Sequence, residues 1–222
     1  MIFPESFPIF YSLGLIVAIA VSIFSWRFYI FRKNLIKTYL SIPSILVLGT
    51  KGSGKTSFIR AFASSQVESH PIQDGFNFAS LTLGEKTAQL MEVPYVYYVD
   101  GIAQHLQKIR EMNLICGIYL FDVSKDSEPI EVQIENFKRI REFLKDLKFL
   151  VLANKMDIAD EQKIEKLKKS IGEFHMLSLA NLEKTTQLKK ELDDVMSLVK
   201  GLSSEALAQK NEIELNQASK AS

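Results

Sequence analysis

The chain has 222 residues and a single cysteine, Cys116, which excludes an intrachain disulfide and any cysteine-based zinc site. Cys116 lies in the apolar run Leu114-Ile115-Cys116-Gly117-Ile118-Tyr119-Leu120-Phe121, where a small buried thiol is expected. Histidine is nearly as scarce, and His70, His105 and His175 lie too far apart to form a metal-spaced cluster. Excess charge of one sign is missing too. Lysine and arginine number 27 against 26 aspartates and glutamates, well mixed, so the net +1 gives no extended surface for nucleic acid. No direct nucleic-acid partner is expected. The length suits one domain of ordinary size plus extensions.

Charge is absent altogether from residues 7–26, FPIFYSLGLIVAIAVSIFSW. As a helix, these 20 residues rise about 1.5 Å each and span about 30 Å, the thickness of a bilayer's hydrocarbon core. A cleaved signal peptide would carry a positive segment before its apolar part. Here only Glu5 precedes the run, and no A-x-A-like site follows it. A buried core helix is rarely uncharged for so many turns. An interfacial helix needs a polar stripe, and Ser12, Ser22 and Ser25 are too few for one. The expectation is a single transmembrane helix contacting the lipid bilayer through residues 7–26. Trp26, Phe28 and Tyr29 fit an aromatic belt at one interface. Arg27, Arg32, Lys33 and Lys37 all follow the run, so the positive-inside rule places the large domain in the cytosol.

Four segments follow from this reading. Residues 1–26 form the N-terminal segment and anchor, and 27–42 a basic juxtamembrane stalk. Residues 43–201 form the folded domain. Residues 202–222, rich in Ser, Ala, Gln, Asn and Glu, form a flexible tail or frayed helix. Within the domain, strand patterns fall at 44–49, 76–83, 90–99, 116–122, 148–153 and 174–178. Helical patterns fall at 55–65, 104–113, 129–146, 160–171 and 183–201. Ile130, Ile134, Phe137, Ile140, Phe143 and Leu144 recur at helical spacing as a core-facing stripe. Alternating βα units predict an α/β fold, a mostly parallel six-stranded sheet with helices on both faces.

The most specific motif is Gly49-Thr50-Lys51-Gly52-Ser53-Gly54-Lys55-Thr56. It is G-x-x-x-x-G-K-[ST], between the apolar strand Ile45-Leu46-Val47-Leu48 and a helical pattern that starts near Ser57. Its glycines let backbone N–H groups turn inward around an anion, and the following helix adds the positive end of its dipole. Lys55 can reach the β- and γ-phosphates, and Thr56 can offer its hydroxyl to Mg²⁺. The predicted ligand is a nucleoside triphosphate.

A second motif selects the base. Asn154-Lys155-Met156-Asp157 follows the apolar run Phe149-Leu150-Val151-Leu152-Ala153, at the carboxyl end of a predicted strand where open α/β sheets bind ligands. Guanine presents N1–H and its 2-amino group side by side, and the Asp157 carboxylate can accept both. Adenine has an acceptor at N1 and no 2-amino group, so the carboxylate would face a lone pair. Asn154 can meet N7 and tie neighbouring loops together, and the stem of Lys155 can lie over the ring. Together with the phosphate loop, this predicts GTP and GDP as ligands, with Mg²⁺.

These residues resemble the small GTPase family over about residues 43–201, and most closely its Arf-type branch. The resemblance implies a P-loop small GTPase fold with nucleotide contacts from Gly49, Thr50, Lys51, Gly52, Ser53, Gly54, Lys55, Thr56 and Ser57. It adds Asn154, Lys155 and Asp157, and the base-supporting loop Ser178-Leu179-Ala180. Gly75-Phe76-Asn77 looks like the Arf-type Gly-Phe-Asn that opens a strand. Asp100 occupies the place of the D-x-x-G aspartate, which holds a water on Mg²⁺. Gln104 matches the glutamine that orients the attacking water; His105 beside it is an alternative, and a solvated helix start is another. Two positions depart from the pattern. Ala103 replaces the D-x-x-G glycine, whose N–H contacts the γ-phosphate. Gln73 stands where a switch threonine would close over Mg²⁺, and the nearest hydroxyl, Ser69, needs a shifted register. Weak or partner-dependent hydrolysis is therefore expected.

A spanning helix with a short basic stalk and a cytosolic Arf-like domain resembles the beta subunits of the signal recognition particle receptor. That resemblance implies a single-pass protein of the endoplasmic reticulum membrane whose GTP state docks the receptor alpha subunit, with ribosome and translocon engaged indirectly. A cycling Arf-like GTPase of membrane traffic that uses Gln104 for hydrolysis fits the same motifs. A degenerate phosphate-loop scaffold is the third alternative.

Overall fold

The computed structural model describes residues 7–63, 66, 68, 69, 75–83, 86–96, 109, 110, 112–178, 197–202, 204, 205, 208, 209 and 212. The chain divides into two compact units, Met1–Ser41 and Ile42–Ser222.

The first unit carries one helix, α1 (Phe7–Ser41), 35 residues long. It runs unbroken through the predicted anchor and the basic stalk. It stops short of Pro43, whose ring disfavours helical geometry in the residue before it. Leu15, Val21, Phe24, Trp26, Phe28, Tyr29 and Phe31 are exposed. Successive exposed residues such as Phe28 and Tyr29 point about 100° apart, so the apolar surface is not confined to one stripe. Among the described residues no helix is long and apolar enough to cross a membrane. The side chains described in α1 run without a break only from 17 to 31.

In the second unit, β1 (Ser44–Gly49) is buried at every position, as its uninterrupted apolar sequence requires of a central strand. The other strands are β2 (Glu68–Ser69), β3 (Asn77–Leu83), β4 (Lys86–Glu92), β5 (Leu114–Asp122), β6 (Phe149–Asn154) and β7 (His175–Met176). The sheet order is β2-β3-β4-β1-β5-β6-β7. From β4 to β7 the neighbours are parallel, while β3 pairs antiparallel with both β2 and β4. Helices α2 (Lys55–Phe62), α3 (Ile130–Phe143) and α4 (Glu161–Ile171) complete the described layers. Asp160 caps α4 by accepting the Gln162 N–H at 2.9 Å.

The two-residue period of a strand sends β1 side chains to two separate cores. Ile45 and Val47 pack with Phe58, Ile59 and Phe62 of α2. Leu46 and Leu48 pack with Tyr119, Phe121, Ile134, Phe137 and Ile140 on the α3 side, where Leu167 of α4 joins them.

Two expectations need correction. Among the described residues the sheet has seven strands rather than six, the short β2 being the addition. The strand expected at 90–99 is β4, and it occupies Lys86–Glu92. The aromatic and β-branched residues after it have high strand propensity, but Pro94 lacks the N–H needed to continue the ladder. Of the expected helices, 104–113 is described as helix only at 109 and 110, and 183–201 only from 197 onward.

Gly117 of β5 faces Phe149 of β6 in register, and a Cβ there would stand 2.4 Å from the ring. That ring packs edge-on against Phe137, with centroids 5.7 Å apart. Overpacking costs about 1–3 kcal/mol, against about 0.4–1 kcal/mol regained from the unfolded chain. Gly117→Ala should therefore destabilise by about 1–2 kcal/mol in urea unfolding, and by clearly less in a Phe149→Ala background. Equal costs in both backgrounds would contradict the clash.

Candidate functional site

Gly49, Glu92, Asp122 and Asn154 end β1, β4, β5 and β6 respectively, so one edge of the parallel sheet gathers the phosphate loop, two carboxylates and the base motif. The loop after β1 turns at Gly52 (φ 78°) and Gly54 (φ 92°), which lie in the left-handed region where side chains are strained. A Cβ at Gly49 would sit 2.4 Å from the Leu120 carbonyl oxygen, so only glycine lets the loop pass this close to β5. α2 begins at Lys55, directly beyond Gly54. A concave backbone followed by a helix N-terminus fits a phosphate group.

Lys55 is buried, and its ammonium donates to the carbonyls of Gly49 (3.0 Å) and Thr50 (2.8 Å), which fix it at the loop's mouth. Burial lowers its pKa from 10.5 to about 8, an effect partly opposed by the nearby Glu92 carboxylate. The folded pKa lies below the unfolded one, so between about pH 8 and 10.5 the unfolded chain holds a proton that the folded chain has released. Stability of the ligand-free chain should then rise with pH across that window. A bound phosphate needs the ammonium, so binding in the same window should take up a proton. Calorimetry at about pH 9 in buffers of different ionisation enthalpy should register that uptake, and at about pH 7 almost none. Identical proton stoichiometry at both pH values would contradict it.

The Thr56 hydroxyl donates to both carboxylate oxygens of Glu92, at 2.8 and 3.0 Å, and Asn77 Nδ2 donates to the same group at 2.9 Å. Glu92 pairs with Val47 of β1 and reaches the phosphate loop from the sheet side. A hydroxyl and a carboxylate at the mouth of an anion site fit a hard oxygen-seeking cation such as Mg²⁺. Among the described residues no group of three or more His, Cys, Asp or Glu could hold a metal alone. Mg²⁺ needs only one or two protein groups when phosphates supply the rest.

The base motif lies beside the phosphate loop. Asn154 is buried and its Nδ2 donates to the Ser53 carbonyl at 2.8 Å, joining the two motifs directly. Lys155 adopts φ 66°, which turns the chain sharply into the 3₁₀ turn Met156–Ile158. Asp157 is exposed on that turn and accepts the Ser178 hydroxyl at 2.6 Å. The Met156 N–H donates to Leu177 O at 3.3 Å, so the 177–178 segment and the base motif form one edge. Each Asp157 oxygen keeps a lone pair for adjacent donors such as those of guanine.

Thr50, Lys51, Gly52, Ser53, Gly54, Lys55, Thr56 and Ser57 form the loop and the start of α2. Asp100, Ala103, Gln104, His105, Gln73, Leu179 and Ala180 lie outside the described residues. Sequence reasoning missed Glu92, eight residues before Asp100, because the strand was expected to continue past it. An acid closing an apolar strand just before a proline was the available signal. Three residues after Glu92 the chain reaches Tyr95. Its hydroxyl donates to Glu128 at 2.8 and 2.9 Å and accepts from Asn136 Nδ2 at 3.2 Å.

The sheet order, the phosphate loop after β1 and the base motif after β6 together define the P-loop GTPase fold. Among solved structures, a candidate nucleolar GTP-binding protein 1 from Plasmodium falciparum matches with 15% identity, covering 80% of this chain and 96% of that chain, at a TM-score of 0.55. The G domain of the T. maritima FeoB iron transporter matches with 19% identity, covering 69% of this chain and 98% of that chain, at a TM-score of 0.49. No protein-family model matches the sequence. At 15% identity the first likeness shows the fold alone.

Proposed function

We propose that the chain is a membrane-anchored GTP-binding subunit whose GTP state docks a partner at the lipid surface. The observation that carries the nucleotide reading is the Asn154–Ser53 bond, which joins the base motif directly to the phosphate loop. Lys55 and the loop amides bind and orient the phosphates, and Asp157, braced by Ser178, reads the guanine edge. Mg²⁺, when bound, would supply positive charge to the phosphates, and Thr56 and Glu92 are the residues that would hold it.

The uncharged run at residues 7–26 supports the anchor. An anchored domain cannot use nucleotide state to leave the membrane without exposing that run to water, so the nucleotide governs a partner instead. Tyr95 supports docking over rapid cycling: Glu128 and Asn136 hold the segment leaving β4 in place. Arf-like character, residence in the endoplasmic reticulum membrane and the receptor alpha subunit as partner complete the proposal.

The test uses the full chain solubilised in detergent and loaded with GTP or GDP, incubated with a signal recognition particle receptor alpha subunit. Capture with GTP and not GDP is expected. Equal capture in both states, or release of the chain from vesicles by alkaline carbonate, would overturn the reading. Gln104→Leu should leave capture unchanged; a fall in activator-stimulated hydrolysis by orders of magnitude would instead favour the cycling GTPase.

A further inference from the structure

Asp122, at the carboxyl end of β5, is an almost fully buried carboxylate that neither the phosphate nor the guanine contacts above require. Buried carboxylates are costly unless every oxygen is engaged. One oxygen accepts the Ser124 N–H (3.0 Å) and hydroxyl (2.6 Å), and the other pairs with the Lys155 ammonium at 2.5 Å. The backbone of Asp122 is itself clamped by the fully buried Gln133, whose Oε1 accepts the Asp122 N–H and whose Nε2 donates to the Asp122 carbonyl, both at 2.9 Å. Ser127 donates to that same carbonyl at 2.8 Å, and Lys163 of α4 holds Ser127 from behind through its hydroxyl at 2.7 Å. Asp122 is therefore fixed from three sides, and among the described residues the charged partner of its carboxylate is Lys155 of the base motif.

We infer, on the guanine-nucleotide reading above, that Asp122 is a positioning residue for the purine: by holding the Lys155 ammonium it pins the lysine's methylene stem across the face of the base. A lysine stem is flexible, and an ammonium left in water would sample many rotamers, each lost on binding. Lys155 is mostly buried along its length, and its tip is tethered on the protein side rather than in solvent. The φ of 66° at Lys155 directs the chain into the turn that carries Asp157, so stem and base-reading carboxylate are set by the same two residues. The tether acts before the ligand arrives, as preorganisation.

Base positioning and a merely structural role differ in what they do to a ligand without a base. In Asp122→Asn, GDP affinity should fall roughly tenfold to a hundredfold, while Mg²⁺-pyrophosphate, competing against mant-GDP, should bind within about twofold of the parent. In a Lys155→Met background, where no ammonium remains to be held, the same substitution should add almost nothing to the loss. Equal weakening of GDP and pyrophosphate, or additive losses in the double variant, would overturn the inference and leave Asp122 a structural residue. Should Asp122→Asn not fold, Ser124→Ala removes the 2.6 Å bond that orients the carboxylate and carries the same test, with a few-fold selective loss for GDP expected and no selective loss overturning it. A parent chain that shows no saturable GDP binding would overturn the guanine reading itself, and this inference with it.

Discussion

Lys55→Met should abolish measurable triphosphate binding while leaving the empty chain about as stable as before. The two effects separate because the lysine is buried for the ligand's benefit. Its ammonium is desolvated, which lowers its pKa to about 8, and the nearby Glu92 carboxylate compensates only in part. Methionine keeps most of the stem's packing and removes a charge that the fold holds at a cost. Against that, two carbonyls lose a donor, worth about 1 kcal/mol each where water cannot replace it. The balance predicts a melting temperature within a few degrees of the parent. For the ligand there is no balance: two or three charge-assisted bonds to phosphate, each worth about 1.5–3 kcal/mol, disappear together. Affinity should fall by at least about 10²-fold. The cleanest measurement is the thermal shift on adding GTP with Mg²⁺, large in the parent and absent in the variant. A variant that kept the shift would show that the loop does not bind phosphate through Lys55.

Much of this site was legible in the sequence, and the physical reason is locality. The phosphate loop and the base motif each sit within a few consecutive residues after an apolar strand, so spacing alone fixes which groups can converge. β1, β5 and β6 are buried on both faces, and their unbroken apolar runs announce them without need of a period. What was not legible depended on tertiary pairing. β4 is a partner of both β1 and β3, and its end is set by register with them and by Pro94, whereas the aromatic run that follows advertises strand more loudly. A shift of that end hid Glu92, and only the folded chain brings it to Thr56, 36 residues away in sequence. Asp122 and Gln133 were hidden for a different reason. One is a lone acid after an apolar strand and the other a lone polar residue in a helix. Their meaning lies in each other and in Lys155, which no local pattern can express.

Asp157→Asn should reverse the choice of purine. The carboxylate stands on an exposed turn with the Ser178 hydroxyl on one oxygen, which leaves lone pairs for a base edge. Guanine fills them with two donors. Asparagine offers one donor and one acceptor in nearly the same volume, so against guanine its NH₂ meets the 2-amino group, donor against donor. Xanthine keeps N1–H and carries a carbonyl in place of the 2-amino group, which restores two complementary bonds. Ser178 can donate to the amide oxygen as it does to the carboxylate, so the turn should keep its shape. Sites built around polar pairs reject a mismatched partner by about 10⁴-fold, and GTP affinity should fall by roughly 10³ or more while xanthosine triphosphate becomes the tighter ligand. Competition of each triphosphate against a fluorescent xanthosine nucleotide, in parent and variant, reads the reversal directly. Unaltered preference for GTP in the variant would mean that the guanine edge is read elsewhere on the sheet, and the assignment of Asp157 would fall with it.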